Sequence, residues 1–166
     1  MVLVLIGAEP MEQALTQKKR MRAVSIMFEP VTIKNLKIRN RIARSATFEG
    51  MGSAEGEPSE RLARLYTELA ESGVGLIFTS AAMVERFKLQ LPAGQDIAYP
   101  LFIDRDELVG LWKPIVAAVQ SRGATIAMQI VHPGRQEDPG LRLGEPPLAP
   151  SPVELPGSGV VPREMT

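Results

Sequence analysis

The chain has 166 residues, 45% hydrophobic and 23% charged, a composition that is typical of a globular domain and excludes a disordered or membrane-spanning chain. Nineteen basic and nineteen acidic residues cancel, so no overall charge favours binding to nucleic acid or to anionic lipid. Because the sequence has no cysteine, disulfides, thiolate metal sites and cysteine nucleophiles are excluded, and a cytoplasmic location is expected.

Residues 1–26 are predicted to be an extension that is disordered or weakly helical. Its first apolar run has no basic residue before it and is far shorter than the roughly 20 residues of a membrane-spanning helix. The globular pattern begins at Met27, and residues 27–166 are expected to form one domain.

A hairpin and a short strand are predicted at the start of this domain. Residues 31–40 alternate apolar and polar side chains on both sides of Lys34 and Asn35, which predicts a hairpin with a turn at these two residues. Residues 41–46 predict a short strand. The glycine-rich, acidic residues 50–58 then predict an exposed loop.

A helix and a strand follow. Ser59 is predicted to cap the helix and Gly73 to end it. The apolar residues that recur at helical spacing are Leu62, Leu65, Tyr66 and Leu69. The nearly continuous apolar run 74–84 predicts a strand covered on both faces, as in a parallel sheet.

A second helix and a third strand complete the pattern, after a long loop predicted over residues 85–99. The helix is predicted over 106–122, with Asp106 as its cap, Gly123 as its stop, and a kink or a late start near Pro114. Residues 124–131 predict the third strand. The proline- and glycine-rich residues 133–162 predict irregular chain with at most short edge pairings.

Helices that alternate with strands predict an α/β fold with parallel βαβ units. Three strands and two helices are too few to close a barrel, and they leave both edges of an open sheet bare. The chain stops at Thr166, a good N-cap residue with no helix after it. The sequence is therefore expected to be truncated.

Several motifs occur in an order that resembles the old yellow enzyme family of FMN-dependent ene-reductases and NADH:flavin oxidoreductases. They are FEPVTIKNLKIRNRIARSA, GVGLIFTSAAMV, AMQIVHPGR, PLAPS and PREMT. The resemblance covers roughly residues 27–166 and implies the N-terminal portion of a (β/α)8 TIM barrel. That portion would consist of the N-terminal hairpin, about three strands and two helices, truncated before the fourth strand.

The resemblance also implies cofactor-binding residues at the strand ends, where barrels carry their functional residues. Ser45, Ala46 and Thr47 would line FMN, Ala81 would lie against its ring, and Gln129 would bind its pyrimidine edge, since a primary amide can donate and accept at once. The alternatives are that Gln129 only satisfies neighbouring backbone groups and that the small residues only pack.

Three further residues lie near these candidates in the sequence, and a separate role is expected for each. Phe48 stands where many relatives have a threonine or cysteine near the flavin carbonyl O4, so the flavin potential or geometry is expected to differ, or Thr47 to substitute. Glu49 is expected to be a solvated loop carboxylate rather than a site residue. His132, the single histidine, is expected to shape a turn and not to bind metal, since one histidine makes a poor metal site.

By resemblance, the parent enzyme transfers hydride from NAD(P)H through FMN to an electron-poor alkene or related acceptor. Its substrate-anchoring residues, proton donor and phosphate-binding loops would lie in later strands, so no catalytic residue is assigned and this chain alone is expected to be inactive. A homo-oligomer or a complementary C-terminal half is the expected protein partner. The alternatives are a non-catalytic truncated chain, a subunit that needs a separate C-terminal half, and a different small α/β binding domain.

Overall fold

A computed structural model describes residues 15, 16, 19, 26–86, 98–137 and 145–166. The predicted extension 1–26 and the predicted loop 85–99 lie mostly outside the described residues. The described strands are β1 (Val31–Ile33), β2 (Leu36–Ile38), β3 (Ala43–Arg44), β4 (Leu76–Met83), β5 (Leu101–Phe102), β6 (Thr125–Val131), β7 (Leu148–Ala149) and β8 (Arg163–Glu164). Two α-helices have both ends among the described residues, α1 (Glu60–Glu71) and α2 (Asp106–Gln120).

The predicted hairpin is confirmed. Strands β1 and β2 are antiparallel, with Ile33 paired to Leu36 across a two-residue turn. Lys34 in that turn has a φ of 54°, the left-handed conformation that a two-residue hairpin turn requires.

Strand β4 is the centre of a parallel sheet, as its apolar run predicts. Strand β6 pairs along one edge of β4, from Leu76 with Thr125 to Met83 with Val131. Strands β3 and β5 share the other edge, β3 near the start of β4 and β5 near its end. The predicted βαβ arrangement of three parallel strands is therefore confirmed. Strand β5 is a further short parallel strand, which the sequence pattern does not predict.

Helix α1 begins and ends as predicted. The Ser59 hydroxyl accepts a hydrogen bond from the Leu62 N–H at 3.2 Å, which satisfies one of the free donors in the first turn. After the helix, Gly73 takes a φ of 98°, a conformation that costs glycine little.

Helix α2 differs from its prediction at its start. The residue before it is Arg105, which makes no side-chain cap, and Asp106 is already the first helical residue. The predicted Asp106 cap is therefore wrong, although its carboxylate still lies where the helix dipole favours negative charge. The helix runs through Pro114, so a late start near this proline is also wrong.

Both helices pack on one face of the sheet, which we call the helix face. The residues of this core include Leu62, Tyr66, Ala70, Ile77, Ala82, Trp112, Ile115 and Val119. Because side chains alternate along a strand, Phe78 points to the opposite, open face. Phe78 remains 37% exposed there, so the prediction that this strand is covered on both faces is wrong within the described residues.

The glycine-rich loop 50–58 is packed rather than exposed, so that prediction is wrong. The Phe102 N–H donates to the Gly56 carbonyl at 2.9 Å, and the Gly52 N–H donates to the Tyr99 carbonyl at 3.1 Å. In this loop, only Ala54 and Glu55 are exposed. Glycine lacks a side chain, and its backbone can therefore approach the chain around β5 this closely.

Replacing Gly56 with alanine is expected to cost about 2 kcal/mol more in the free energy of unfolding than replacing Gly73. Both glycines have a positive φ, but a Cβ at Gly56 would overlap the Phe102 ring, whereas one at Gly73 would have no described atom within 4 Å. Urea unfolding of the two variants measures the difference. Equal losses would show that the loop does not pack on Phe102 in solution.

The described C-terminal residues 145–166 contain a single short pairing. Strands β7 and β8 are parallel, with Leu148 opposite Arg163 and Ala149 opposite Glu164. This agrees with the predicted irregular chain with short pairings. Within the described ranges, no helix is both long enough and apolar enough to cross a membrane.

Candidate functional site

The five candidate site residues lie at the carboxyl ends of three neighbouring parallel strands. Ala81 of β4 is directly opposite Gln129 of β6. Ser45, Ala46 and Thr47 follow β3, which pairs with the other edge of β4. The fold therefore brings Ala81 and Gln129 into register and places the segment 45–47 at the same end of the sheet.

The side-chain amide of Gln129 is available to a ligand. Gln129 is exposed, and its backbone N–H donates to the Thr79 hydroxyl at 3.1 Å. Among the residues that the structure describes, no hydrogen-bond partner is found for the side-chain amide. This argues against an amide that only satisfies neighbouring backbone groups.

The segment after β3 presents small side chains and one exposed ring. Ser45 and Thr47 are exposed and Ala46 is half-buried. The Thr47 hydroxyl donates to the Ser45 carbonyl at 3.4 Å, a long and therefore weak bond that a ligand can replace. Phe48 is 56% exposed, so it adds apolar surface and no hydrogen-bond donor.

The side chain of Glu49 is buried, and the expectation of a solvated loop carboxylate is wrong. Its side chain is only 5% exposed and forms an ion pair with Arg44. The same guanidinium donates to the Phe78 carbonyl at 3.1 Å and lies 5.9 Å from the centre of the Tyr66 ring. A charge can be buried here because a paired arginine compensates it.

Tyr66 connects helix α1 to the end of strand β4. Its hydroxyl accepts a hydrogen bond from the Ser80 N–H at 2.7 Å. Burial raises the pKa of Tyr66 to about 12, and the Glu49 carboxylate also raises it. The residue is therefore neutral at physiological pH. Helical spacing in the sequence predicts only that Tyr66 lies on the apolar face of a helix, although a buried tyrosine usually finds a partner for its hydroxyl.

His132 has a partner at each ring nitrogen. The Gly134 N–H donates to Nδ1 at 3.0 Å, and Nε2 lies 2.8 Å from a carboxylate oxygen of Glu85. Since Nδ1 accepts, Nε2 carries the proton of the neutral ring and donates to Glu85. These contacts hold the chain just after β6, as expected of a residue that shapes a turn.

Comparison with known sequences gives a family match over most of the chain. Residues 26–165 match the model of the NADH:flavin oxidoreductase / NADH oxidase family. The NADH oxidase of Thermoanaerobacter brockii is 39% identical over 140 residues, which are 84% of this chain and 21% of that protein. The NADH-dependent flavin oxidoreductase iliE of Neonectria sp. is 32% identical over 143 residues, 83% of this chain and 18% of that protein. The chain thus spans about a fifth of the length of these curated relatives.

Solved structures give the same result for the fold. The old yellow enzyme homologue of Zymomonas mobilis superposes with a TM-score of 0.65 at 28% identity, over 84% of this chain and 39% of that one. The Old Yellow Enzyme of Pichia sp. AKU4542 also gives 0.65, at 26% identity, over 85% of this chain and 38% of that one. The predicted fold class, the N-terminal portion of a (β/α)8 barrel, is confirmed.

Proposed function

Because the chain belongs to the NADH:flavin oxidoreductase / NADH oxidase family, we propose that it supplies the first strands of an FMN-binding barrel that oxidises a reduced nicotinamide. Strands β3, β4 and β6 would be the first three barrel strands. The observation that carries this proposal is the pairing of Ala81 with Gln129 at the carboxyl end of the sheet.

The described residues fit the ring of a flavin. Gln129 presents an exposed amide that can donate and accept together. Opposite it, Ala81 has a side chain small enough for a flat ring to approach the backbone. The segment after β3 would also line the ring, through Ser45, Ala46 and Thr47.

FMN, when bound, would supply the hydride acceptor between NAD(P)H and an electron-poor alkene or related acceptor. The roles of this chain are then to bind and orient. Gln129 would hold the pyrimidine edge, and Ala81 would leave one ring face accessible. Substrate anchoring and proton donation would fall to later strands of the barrel, so we assign no catalytic residue here. A reducing cytoplasm suits a chain that has no cysteine.

The open surfaces of the chain fit a barrel that is completed by further strands. Ile130, which is opposite Ala82 on the helix face, is 65% exposed, and Phe78 is exposed on the open face. Two copies of this chain would supply only six of the eight barrel strands. We therefore propose a complementary C-terminal half, rather than a second copy, as the partner of these surfaces, and negligible turnover for the chain alone.

Replacing Gln129 with leucine is expected to raise the Kd for FMN about tenfold, because the apolar side chain keeps the size but loses the amide hydrogen bonds. The measurement uses a chimera in which residues 26–165 replace the matching segment of the Thermoanaerobacter brockii NADH oxidase. Flavin fluorescence is titrated against the purified chimera.

Gln120→Leu is the matched control, since Gln120 lies at the exposed end of α2, away from the strand ends. Its Kd is expected to equal that of the unsubstituted chimera. If Gln129→Leu and Gln120→Leu bind FMN equally well, Gln129 does not hold the flavin. A chimera that folds and binds no FMN would support the alternative of a non-catalytic truncated chain.

A further inference from the structure

Strand β4 contains one extra residue just before the candidate site. Phe78 is opposite Ala127, whereas Ala81 is opposite Gln129. Three steps along β4 therefore match two steps along β6, which is a β-bulge at Thr79 and Ser80. Bulges are rare in parallel sheets and often lie next to functional sites, where they redirect a side chain.

This bulge decides which residue of β4 faces the candidate site. Before it, Ile77 is buried on the helix face and Phe78 is exposed on the open face. After it, Ala82 is fully buried in the helix-face core, and Ala81 lies beside Gln129. Without the extra residue, simple alternation would turn Ser80 and Ala82 to the open face and Ala81 to the helices.

Two side chains satisfy the backbone groups that the bulge removes from the ladder. The Ser80 N–H donates to the Tyr66 hydroxyl at 2.7 Å. The Gln129 N–H donates to the Thr79 hydroxyl at 3.1 Å, and this hydroxyl donates to the Ser80 carbonyl at 2.9 Å. Thr79 and Ser80 are only 1% and 2% exposed, so water cannot replace these bonds.

We propose that Tyr66 is a positioning residue whose hydroxyl, together with that of Thr79, fixes the β4 bulge and thereby sets Ala81 opposite Gln129. Insofar as it concerns flavin, this inference rests on the proposed function. The ion pair Arg44–Glu49 lies beside the Tyr66 ring and hydroxyl. Tyr66 acts through Ser80 and does not itself touch a ligand.

The test is amide hydrogen exchange, followed by NMR, on the full chain with Tyr66→Phe. Removing the hydroxyl leaves the Ser80 N–H buried without an acceptor, so the Ser80 and Gln129 amides are expected to exchange at least about tenfold faster. The amide of Ile77, before the bulge, is expected to keep its rate. Tyr99→Phe is the matched control, since it removes the hydroxyl of the other tyrosine of the sequence, and should leave all three rates unchanged.

If Tyr66→Phe only lowers the overall stability of the fold, all amides of the sheet will exchange faster together. That result would overturn the proposal, as would unchanged exchange rates at Ser80 and Gln129. Thr79→Val and Thr79→Ser form a second pair that carries the test if Tyr66→Phe does not fold. The valine variant should accelerate the Gln129 amide, and the serine variant, which keeps the hydroxyl, should restore it.

The chimera separates this inference from the proposed function. If the unsubstituted chimera binds FMN, Tyr66→Phe within it should raise the Kd about as much as Gln129→Leu does, while Tyr99→Phe should not. If the unsubstituted chimera binds no FMN, the proposed function fails. The exchange rates of the full chain still decide whether Tyr66 sets the bulge.

Discussion

Replacing Arg39 with alanine is expected to lower the free energy of unfolding by about 3 kcal/mol, a large share of the stability of a single domain. The Arg39 guanidinium donates to the Arg122 carbonyl at 2.7 Å, to the Ala70 carbonyl at 2.5 Å and to the Val74 carbonyl at 2.9 Å. One side chain therefore satisfies backbone acceptors at and just beyond the ends of both helices.

The charge of Arg39 adds to these hydrogen bonds. Neither α1 nor α2 has a basic residue in its last turn, where a cation stabilises the negative end of the helix dipole. Arg39, which comes from the segment after β2, supplies this cation to both helices at once. Its removal takes this donor from the half-buried Val74 carbonyl, whereas the Ala70 carbonyl keeps the Gly73 N–H at 3.2 Å. Losing a donor to a half-buried carbonyl costs more than losing a surface charge.

Arg41→Ala is the matched control for this prediction. Arg41 is exposed, and its replacement is expected to change stability by no more than about 0.5 kcal/mol. Arg39→Lys should fall between the two, because lysine keeps the charge but lacks the planar fork that reaches several carbonyls. Urea unfolding of the three variants measures the series. Equal stabilities of Arg39→Ala and Arg41→Ala would contradict the account.

Local sequence patterns were sufficient to predict most of the fold. The alternation around Lys34 and Asn35 predicts the hairpin, and the apolar run 74–84 predicts the central parallel strand, although not its open face. These features depend on short-range periodicity and turn chemistry. The family resemblance then placed the parallel strands in the right kind of barrel.

The errors came from tertiary contacts that local periodicity does not indicate. The sequence predicts a solvated carboxylate at Glu49, because nothing in it indicates the ion pair with Arg44. The glycine-rich residues 50–58 predict an exposed loop, because no neighbouring residue in the sequence indicates that this loop packs on Phe102. In the same way, the β4 bulge depends on a hydroxyl from another element, Tyr66 of α1, which strand periodicity alone cannot reveal.

The chimera with the Thermoanaerobacter brockii NADH oxidase is expected to oxidise NADH at least about a hundredfold faster than this chain alone, supplied with the same FMN. These 166 residues span about a fifth of the length of the curated relatives, and Phe78 and Ile130 are exposed on the sheet. A barrel site needs residues from several strand ends to hold both cofactor and substrate.

The controls for turnover are the unmodified Thermoanaerobacter brockii enzyme and the chimera's C-terminal part expressed without residues 26–165. The enzyme sets the upper rate, and the C-terminal part alone should be inactive. Rapid NADH oxidation by the 166-residue chain alone would contradict the account, because it would mean that a complete site exists within this chain.

A fluorescence titration of FMN with the purified chimera decides whether this chain forms the first part of an FMN-binding barrel. We expect saturable quenching that ends at one flavin per chain and weakens with Gln129→Leu. A chimera that shows the circular dichroism of a folded α/β protein but leaves FMN fluorescence unchanged would contradict this expectation.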